Sequence, residues 1–142
     1  MRLVDVAREP QSDIILWHLI SERQGENPTN ISFKMPTWEK HKKFVANPPY
    51  AHWCLINVEG KYIGYVSATK RNEIGIVLFK RHRGKGYGPK AVQLFMKTHA
   101  PLPAVASERR GRFIANINPS NENSIRMFEK LGFKRIQVTY ES

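Results

Sequence analysis

The stretch that decides the reading runs Phe79-Lys80-Arg81-His82-Arg83-Gly84-Lys85-Gly86-Tyr87-Gly88-Pro89-Lys90. Before it, Glu73 to Phe79 carries Ile74, Ile76 and Leu78 on one face, which predicts a strand. After it, Pro89 suits a first helical turn, and Val92, Phe95, Met96 and His99 recur at helical spacing. The segment therefore leaves a strand and opens a helix. Its glycines let the backbone turn so that successive N–H groups point one way, and the helix start adds partial positive charge. Lys80, Arg81, Arg83, Lys85 and Lys90 crowd the same stretch. Such a loop suits phosphate. It is not a P-loop, because Lys85 is followed by Gly86 and not by Ser or Thr. Nor is it the dinucleotide fingerprint, since Gly84, Gly86 and Gly88 read G-x-G-x-G, not G-x-G-x-x-G.

Upstream, Arg2 to Ala7 reads as a short strand, and Ser12 and Asp13 open a helix through Ile14 to Ile20. Ser21 to Pro36 is polar and broken by Gly and Pro, so it reads as loop. Thr37 caps a second helix, with Trp38, His41, Phe44 and Val45 at helical spacing. Ala51 to Val58 and Lys61 to Ala68 are strands joined at Glu59-Gly60, and Arg71-Asn72 turns into the strand before the glycine loop. Downstream, Gly111 to Ile117 reads as a strand. Asn118-Pro119-Ser120 then leads into a helix with Ile125, Phe128 and Leu131 on one stripe and Gly132 as its left-handed cap. Phe133 to Tyr140 reads as a last strand. The order β-α-α-β-β-β-α-β-α-β makes the chain mixed α/β (α+β).

The 142 residues suit one domain over 1–142. Hydrophobic residues at 41% and charged residues at 25% exclude a disordered or collagen-like chain. No window approaches the ~18 apolar residues of a membrane span, so no membrane association is expected. Arg2, Asp5, Arg8, Glu9 and Pro10 near the start leave no room for a secretory leader. Cys54 is the only cysteine, which excludes an intrachain disulfide and argues against a thiolate metal site. The expectation is a soluble, cytoplasmic protein without a metal. Charge is the outlier: 23 Lys and Arg against 12 Asp and Glu leave +11. That excess points to phosphate-bearing partners.

Two motifs together resemble the GCN5-related N-acetyltransferase (GNAT) superfamily. Arg81-His82-Arg83-Gly84-Lys85-Gly86 is similar to its R/Q-x-x-G-x-G/A signature. Asn118-Pro119-Ser120-Asn121 followed by Met127-Phe128-Glu129-Lys130-Leu131-Gly132-Phe133 resembles its N-helix-Y-E-K-L-G-F segment. The resemblance implies a central, mostly antiparallel sheet of about six or seven strands flanked by about four helices. It implies acetyl-CoA as donor, with Leu78 and Phe79 pairing with pantetheine amides. N–H groups from Arg83 through Gly84, Lys85, Gly86 and Tyr87 to Gly88 would hold the pyrophosphate, and Asn121 would bond near the pantetheine arm. Three positions depart from the family. Phe128 stands where a general-acid tyrosine is common, Asn116 where some members carry a catalytic glutamate, and the chain stops short of a seventh strand. Either the sheet is shorter or a second subunit, as in a homodimer, covers its edge.

N-acetyl transfer needs a neutral amine, and a base within hydrogen-bond reach supplies it. Glu73 is the candidate base: it opens the strand leading to the loop, where several family members have a glutamate facing the acceptor. The competing role is a solvent carboxylate paired with Arg71. His41, His52 and His82 are weaker candidates, and Tyr87 and Tyr65 could replace the missing acid. The acceptor site is expected from the first two helices, the loop between them and the hairpin. Trp17, Phe33, Trp38 and Trp53 are candidate walls, with core packing as their commoner use. The basic charge favours an amine attached to an anion, such as an amino sugar nucleotide, a phosphorylated metabolite or nucleic acid. The alternative is a nucleic-acid-binding module that keeps the fold without the activity, supported by Arg109, Arg110, Arg112, Lys40, Lys42 and Lys43, or an acetyltransferase acting on nucleic acid or a ribosomal protein.

Overall fold

Four strands pair antiparallel in chain order: β1 (Arg2–Asp5), β2 (Tyr50–Val58), β3 (Lys61–Thr69) and β4 (Ile74–Leu78). The computed structural model describes residues 1–23 and 34–142. After β1 come a 3-10 turn at Val6–Arg8, helix α1 (Ser12–Arg23) and helix α2 (Trp38–Ala46). A second 3-10 turn, Lys80–His82, leads from β4 to α3 (Tyr87–Thr98), and α4 (Glu122–Lys130) follows.

Local chemistry explains these boundaries. Glu59 and Gly60 join β2 to β3 with φ +51 and +81, as a tight hairpin with two left-handed residues requires. Thr37 Oγ1 accepts the Lys40 N–H at 3.3 Å and caps α2. Gly132, with φ +92, turns the chain out of α4.

The sheet separates two cores by its pleat. On the α3 face, Cys54, Ile56, Val66, Ala68 and Ile74 pack with Ala91, Val92 and Phe95 of α3 and Phe128 of α4. On the α1 face, Trp53 and Leu55 pack with Val6, Leu16 and Leu19. Phe95 is completely buried, and a ring removed from water this way contributes about 2–3 kcal/mol. His41 is buried between α1 and α2, where its Nε2 meets the Asp13 carbonyl at 2.7 Å. Trp17 and Trp38 pack edge to face beside it, 5.2 Å apart.

Gly64 shows how closely β3 and β4 approach. A Cβ there would lie 2.1 Å from the Val77 carbonyl oxygen and 2.8 Å from Leu78 Cα. Only glycine fits.

Two expected strands do not form among the described residues. Gly111 to Ile117 meets the sheet through one parallel bridge, Glu73 with Ile114, and then leaves it. Phe133 to Tyr140 alternates apolar and polar residues but pairs with no described strand, and Ile136, Val138 and Tyr140 are exposed. Alternation supplies a strand's faces, whereas its hydrogen bonds need a neighbour. The sheet of described residues therefore has four strands, not six or seven.

Candidate active site

The site grows from the divergence of β4 and the segment after Ile114. The Ile114 carbonyl accepts the Ile74 N–H at 2.8 Å, and the Ile114 N–H donates to the Asn72 carbonyl at 2.9 Å. Beyond this pair a cleft of about 200 Å³ opens, with Gly75, Ile76 and Val77 on one wall and Ala115, Asn116 and Ile117 on the other. Asn121, Ser124 and Phe128 close it from below.

Strand parity decides which backbone groups face this cleft. Glu73 and Phe79 both bond toward β3: the Glu73 carbonyl accepts from Thr69 N–H at 3.0 Å, and Phe79 N–H donates to Ile63 at 2.9 Å. Ile74 bonds the opposite way, toward Ile114. By the two-residue period, Ile76 and Leu78 turn their N–H and C=O groups outward as Ile74 does. Leu78 lies where a pantetheine partner is expected, although its carbonyl also accepts from Arg83 Nε at 3.1 Å. The Phe79 N–H is spent inside the sheet and does not face the cleft. Ile76 does turn its backbone that way, a placement the sequence reading did not include. The signal was the parity relative to Ile114, a pairing that sequence alone does not reveal.

At the end of β4 the chain enters the glycine loop. Gly84 and Gly86 have φ +73 and +82, and nothing lies within 4 Å of where their side chains would begin. The space above both is open, so a ligand can reach the backbone there. Gly88 has another use: a Cβ would lie 3.3 Å from Met127 Sδ, so its small size lets α3 pack on α4. Arg83 N–H donates to the Lys80 carbonyl at 3.1 Å, so the outward donors begin at Gly84. Lys85 is exposed at the loop, and Tyr87 begins α3 with its ring 6.3 Å from that of His82. Burial and the neighbouring Arg81 and Lys85 hold the His82 pKa below the ordinary imidazole value. Gly86 sits at the helix N-cap with no side-chain hydrogen bond to α3. Open glycines, a helix start and surrounding cations fit a pyrophosphate.

Asn121 caps α4, its Oδ1 accepting the Ser124 N–H at 3.2 Å, and the residue also lines the cleft. Phe128 is buried and packs on Phe133 at 5.0 Å while also lining the cleft. Core packing and cleft floor are the same role here.

Glu73 stands at the closed end, half-buried, one residue before the Ile74–Ile114 pair. Ile74 packs on the α3 face and Val77 on the α1 face, so the pleat puts the Glu73 side chain on the α1 face. Its carboxylate forms no ion pair with Arg71 and no hydrogen bond among the described residues. The histidines lie elsewhere. His41 is held between α1 and α2, and His52 packs on the α3 face against His99, 4.6 Å between rings.

Of the candidate acceptor walls, Trp17 and Trp38 pack on each other and on His41. Trp53 is buried among Phe44, Tyr50 and Tyr65, and its indole N–H has no partner among the described residues. Phe33 and most of the expected loop lie outside the described residues. Burial pushes the Tyr65 hydroxyl well above the usual phenol range, and a hydrogen bond ties it to Tyr50. Tyr65 is therefore partly buried against the α1-face core and already engaged by Tyr50.

Residues 13–134 match the family model described as an acetyltransferase (GNAT) domain. The chain belongs to the GNAT acetyltransferase family. The GNAT domain is an acetyl-CoA-dependent N-acetyltransferase, with acetyl-CoA as the donor. Solved structures agree on the fold. A domain from Methanocaldococcus jannaschii superposes with a TM-score of 0.73 at 20% identity, covering 99% of this chain and 92% of that one. A ribosomal-protein-alanine N-acetyltransferase from Brucella melitensis gives 0.71 at 18% identity, covering 96% and 85%. A putative acetyltransferase from Salmonella typhimurium, solved with acetyl-CoA, gives 0.66 at 18%, covering 93% and 77%. No curated protein matches the chain in sequence. Among the described residues no helix is long and apolar enough to cross a membrane, and no three metal-ligating side chains group together.

Proposed function

We infer that this GNAT domain acetylates a primary amine, with Glu73 as the base that takes the amine's proton. The observation that carries the reading is the position of Glu73: beside the last β4 hydrogen bond before the cleft, with a carboxylate on the α1 face that has no partner among the described residues. The opposite edge of the same strand turns Ile76 and Leu78 backbone toward the cleft. One strand thus holds the donor's amide chain on its edge and presents a base on its face.

Acetyl-CoA supplies an activated acyl carbon and a thiolate leaving group. Gly84 to Gly88 and the start of α3 would hold its pyrophosphate, and Ile76, Leu78 and Asn121 its pantetheine. An alkyl amine with a pKa near ~10.4 is neutral in only about one part in a thousand at pH 7. Glu73 removes that penalty by accepting the proton as attack proceeds, directly or through one water. Phe128 has no proton to give, and the partly buried Tyr65 hydroxyl is engaged with Tyr50, which leaves Tyr87 beside the loop or solvent to protonate the departing sulfur. The acceptor is an amine carried on an amino sugar, a nucleotide, a protein terminus or another small molecule. A coenzyme A release assay over amino sugars, nucleotide-linked amines, alanine-terminated peptides and simple amines tests the reading. Release with any of them supports it. Acetyl-CoA binding without release from any acceptor favours a fold that has kept the cofactor site alone.

A further inference from the structure

Two segments distant in sequence are clasped at one corner of the sheet. The Asn72 NH2 donates to the Leu102 carbonyl at 3.0 Å and to the Arg110 carbonyl at 2.7 Å, and its Oδ1 accepts the Leu102 N–H at 2.7 Å. Asn72 is buried and left-handed, with φ +64. Arg109 completes the clasp: its Nε donates to the Pro103 carbonyl at 2.7 Å and its Nη1 to the Lys70 carbonyl at 3.3 Å. These bonds press the β3–β4 turn, with Lys70 and Arg71, against the loop bearing Arg110. The Ile114–Asn72 bond brings Arg112, two residues upstream, alongside.

Lys70, Arg71, Arg110 and Arg112 are all exposed, and none forms an ion pair or side-chain hydrogen bond among the described residues. Glu73 and Glu108, the acids of the same two segments, reach none of them within ion-pair distance. Fixed like charges repel, and a polyanion relieves that repulsion while releasing its own counterions. We propose that this corner, Lys70, Arg71, Arg110 and Arg112, docks the phosphodiester backbone of a nucleic acid. Three of the four heads are guanidiniums, whose fork matches phosphate oxygens. A protein partner needs a buried apolar anchor, and the loop offers a single exposed valine, Val105. The corner is separate from the glycine loop, whose cations surround the cofactor's own phosphates. It places a bound strand next to Glu73, the neighbour of Asn72 in the turn.

The test uses the full chain with saturating coenzyme A, so that the glycine loop is occupied. Labelled DNA and RNA oligonucleotides of one sequence, and a poly-glutamate peptide of equal charge, are titrated over a salt series. In one variant Lys70, Arg71, Arg110 and Arg112 become Ser; in another Lys34, Lys40, Lys42 and Lys43 become Ser, removing the same charge from in and around α2. Arg109 is kept, because its guanidinium holds the loop. The corner variant should bind nucleic acid at least about tenfold more weakly, with the salt slope falling by about 0.7 per lost contact on single strands. The α2 variant should stay within about twofold, a spread too small for a lost phosphate contact. Unchanged coenzyme A affinity shows that the corner variant is folded. Equal losses in both variants would mean a diffuse field, and no binding by the parent or tighter binding of poly-glutamate would also overturn the proposal. Failure here leaves the coenzyme A release result untouched, so the two readings fail separately.

Discussion

Ile74 and Ile114 share the last hydrogen bond before β4 and its neighbour separate, 2.8 Å from nitrogen to oxygen. That bond sets the phase of β4. Every second residue after Ile74 turns its backbone to the cleft, and Glu73 before it turns its side chain to the α1 face. The proposed cofactor contacts and the candidate base follow from one register.

Glu73→Gln preserves shape and removes proton acceptance. Loss of a general base costs ~10²–10⁴-fold in rate. We expect kcat to fall in that range while acetyl-CoA affinity stays near the parent value. The deficit should shrink at high pH, where the free amine is already neutral. A stopped-time coenzyme A release assay from pH 7 to 10 measures this, and near-normal turnover at pH 7 would remove Glu73 as the base.

Gly86→Val puts a β-branched side chain at φ +82, in the open space above the loop. Left-handed backbone costs a side-chain-bearing residue roughly 1–2 kcal/mol, and the added atoms stand where a phosphate would approach. Coenzyme A affinity measured by calorimetry should drop at least about tenfold, which corresponds to 1.4 kcal/mol. Gly86→Ala should lose less. Gly60→Ala, equally left-handed but in the β2–β3 hairpin, should leave coenzyme A affinity unchanged.

Gly64→Ala should be far worse for stability than Gly60→Ala. At Gly64 the new Cβ meets backbone, which cannot rotate away, so β3 and β4 must separate. At Gly60 there is room, and the cost is the left-handed φ alone, about 1–2 kcal/mol. Urea unfolding midpoints separate the two. Equal midpoints would mean that the strands yield easily.

Acid should weaken the fold through His52. Burial on the α3 face and the neighbouring His99 lower its pKa, against a smaller pull upward from Asp5. The unfolded chain then binds the proton more readily than the folded one. This contribution is therefore complete above about pH 6.5 and is lost as pH falls through the lowered folded value. His52→Gln should flatten the fall in unfolding midpoint between pH 7 and 5. The slope left behind belongs partly to His82, which is lowered as well.

How much was legible beforehand differs between elements. The glycine loop, the helix after it and helix α4 were readable because each depends on a few adjacent residues. Gly84 and Gly86 supply the turn, Asn118-Pro119-Ser120 leads into α4, and α4 repeats its apolar residues at helical spacing. These are local preferences, carried by the chain wherever it goes. Strand identity is not local. Gly111 to Ile117 and Phe133 to Tyr140 have strand patterns yet lack a ladder, because pairing depends on what lies alongside. Parity had the same limit: Phe79 and Ile76 look alike in sequence, and only the Ile74–Ile114 bond says which faces the cleft. Nothing in the sequence around Gly64 shows that β4 passes close enough to exclude a Cβ there. The cationic corner exists only because the buried Asn72 ties Arg110 to the turn beside Lys70 and Arg71. Sequence determined what each segment prefers; the tertiary structure decided which segments meet, because hydrogen bonds and close packing are made between neighbours in space.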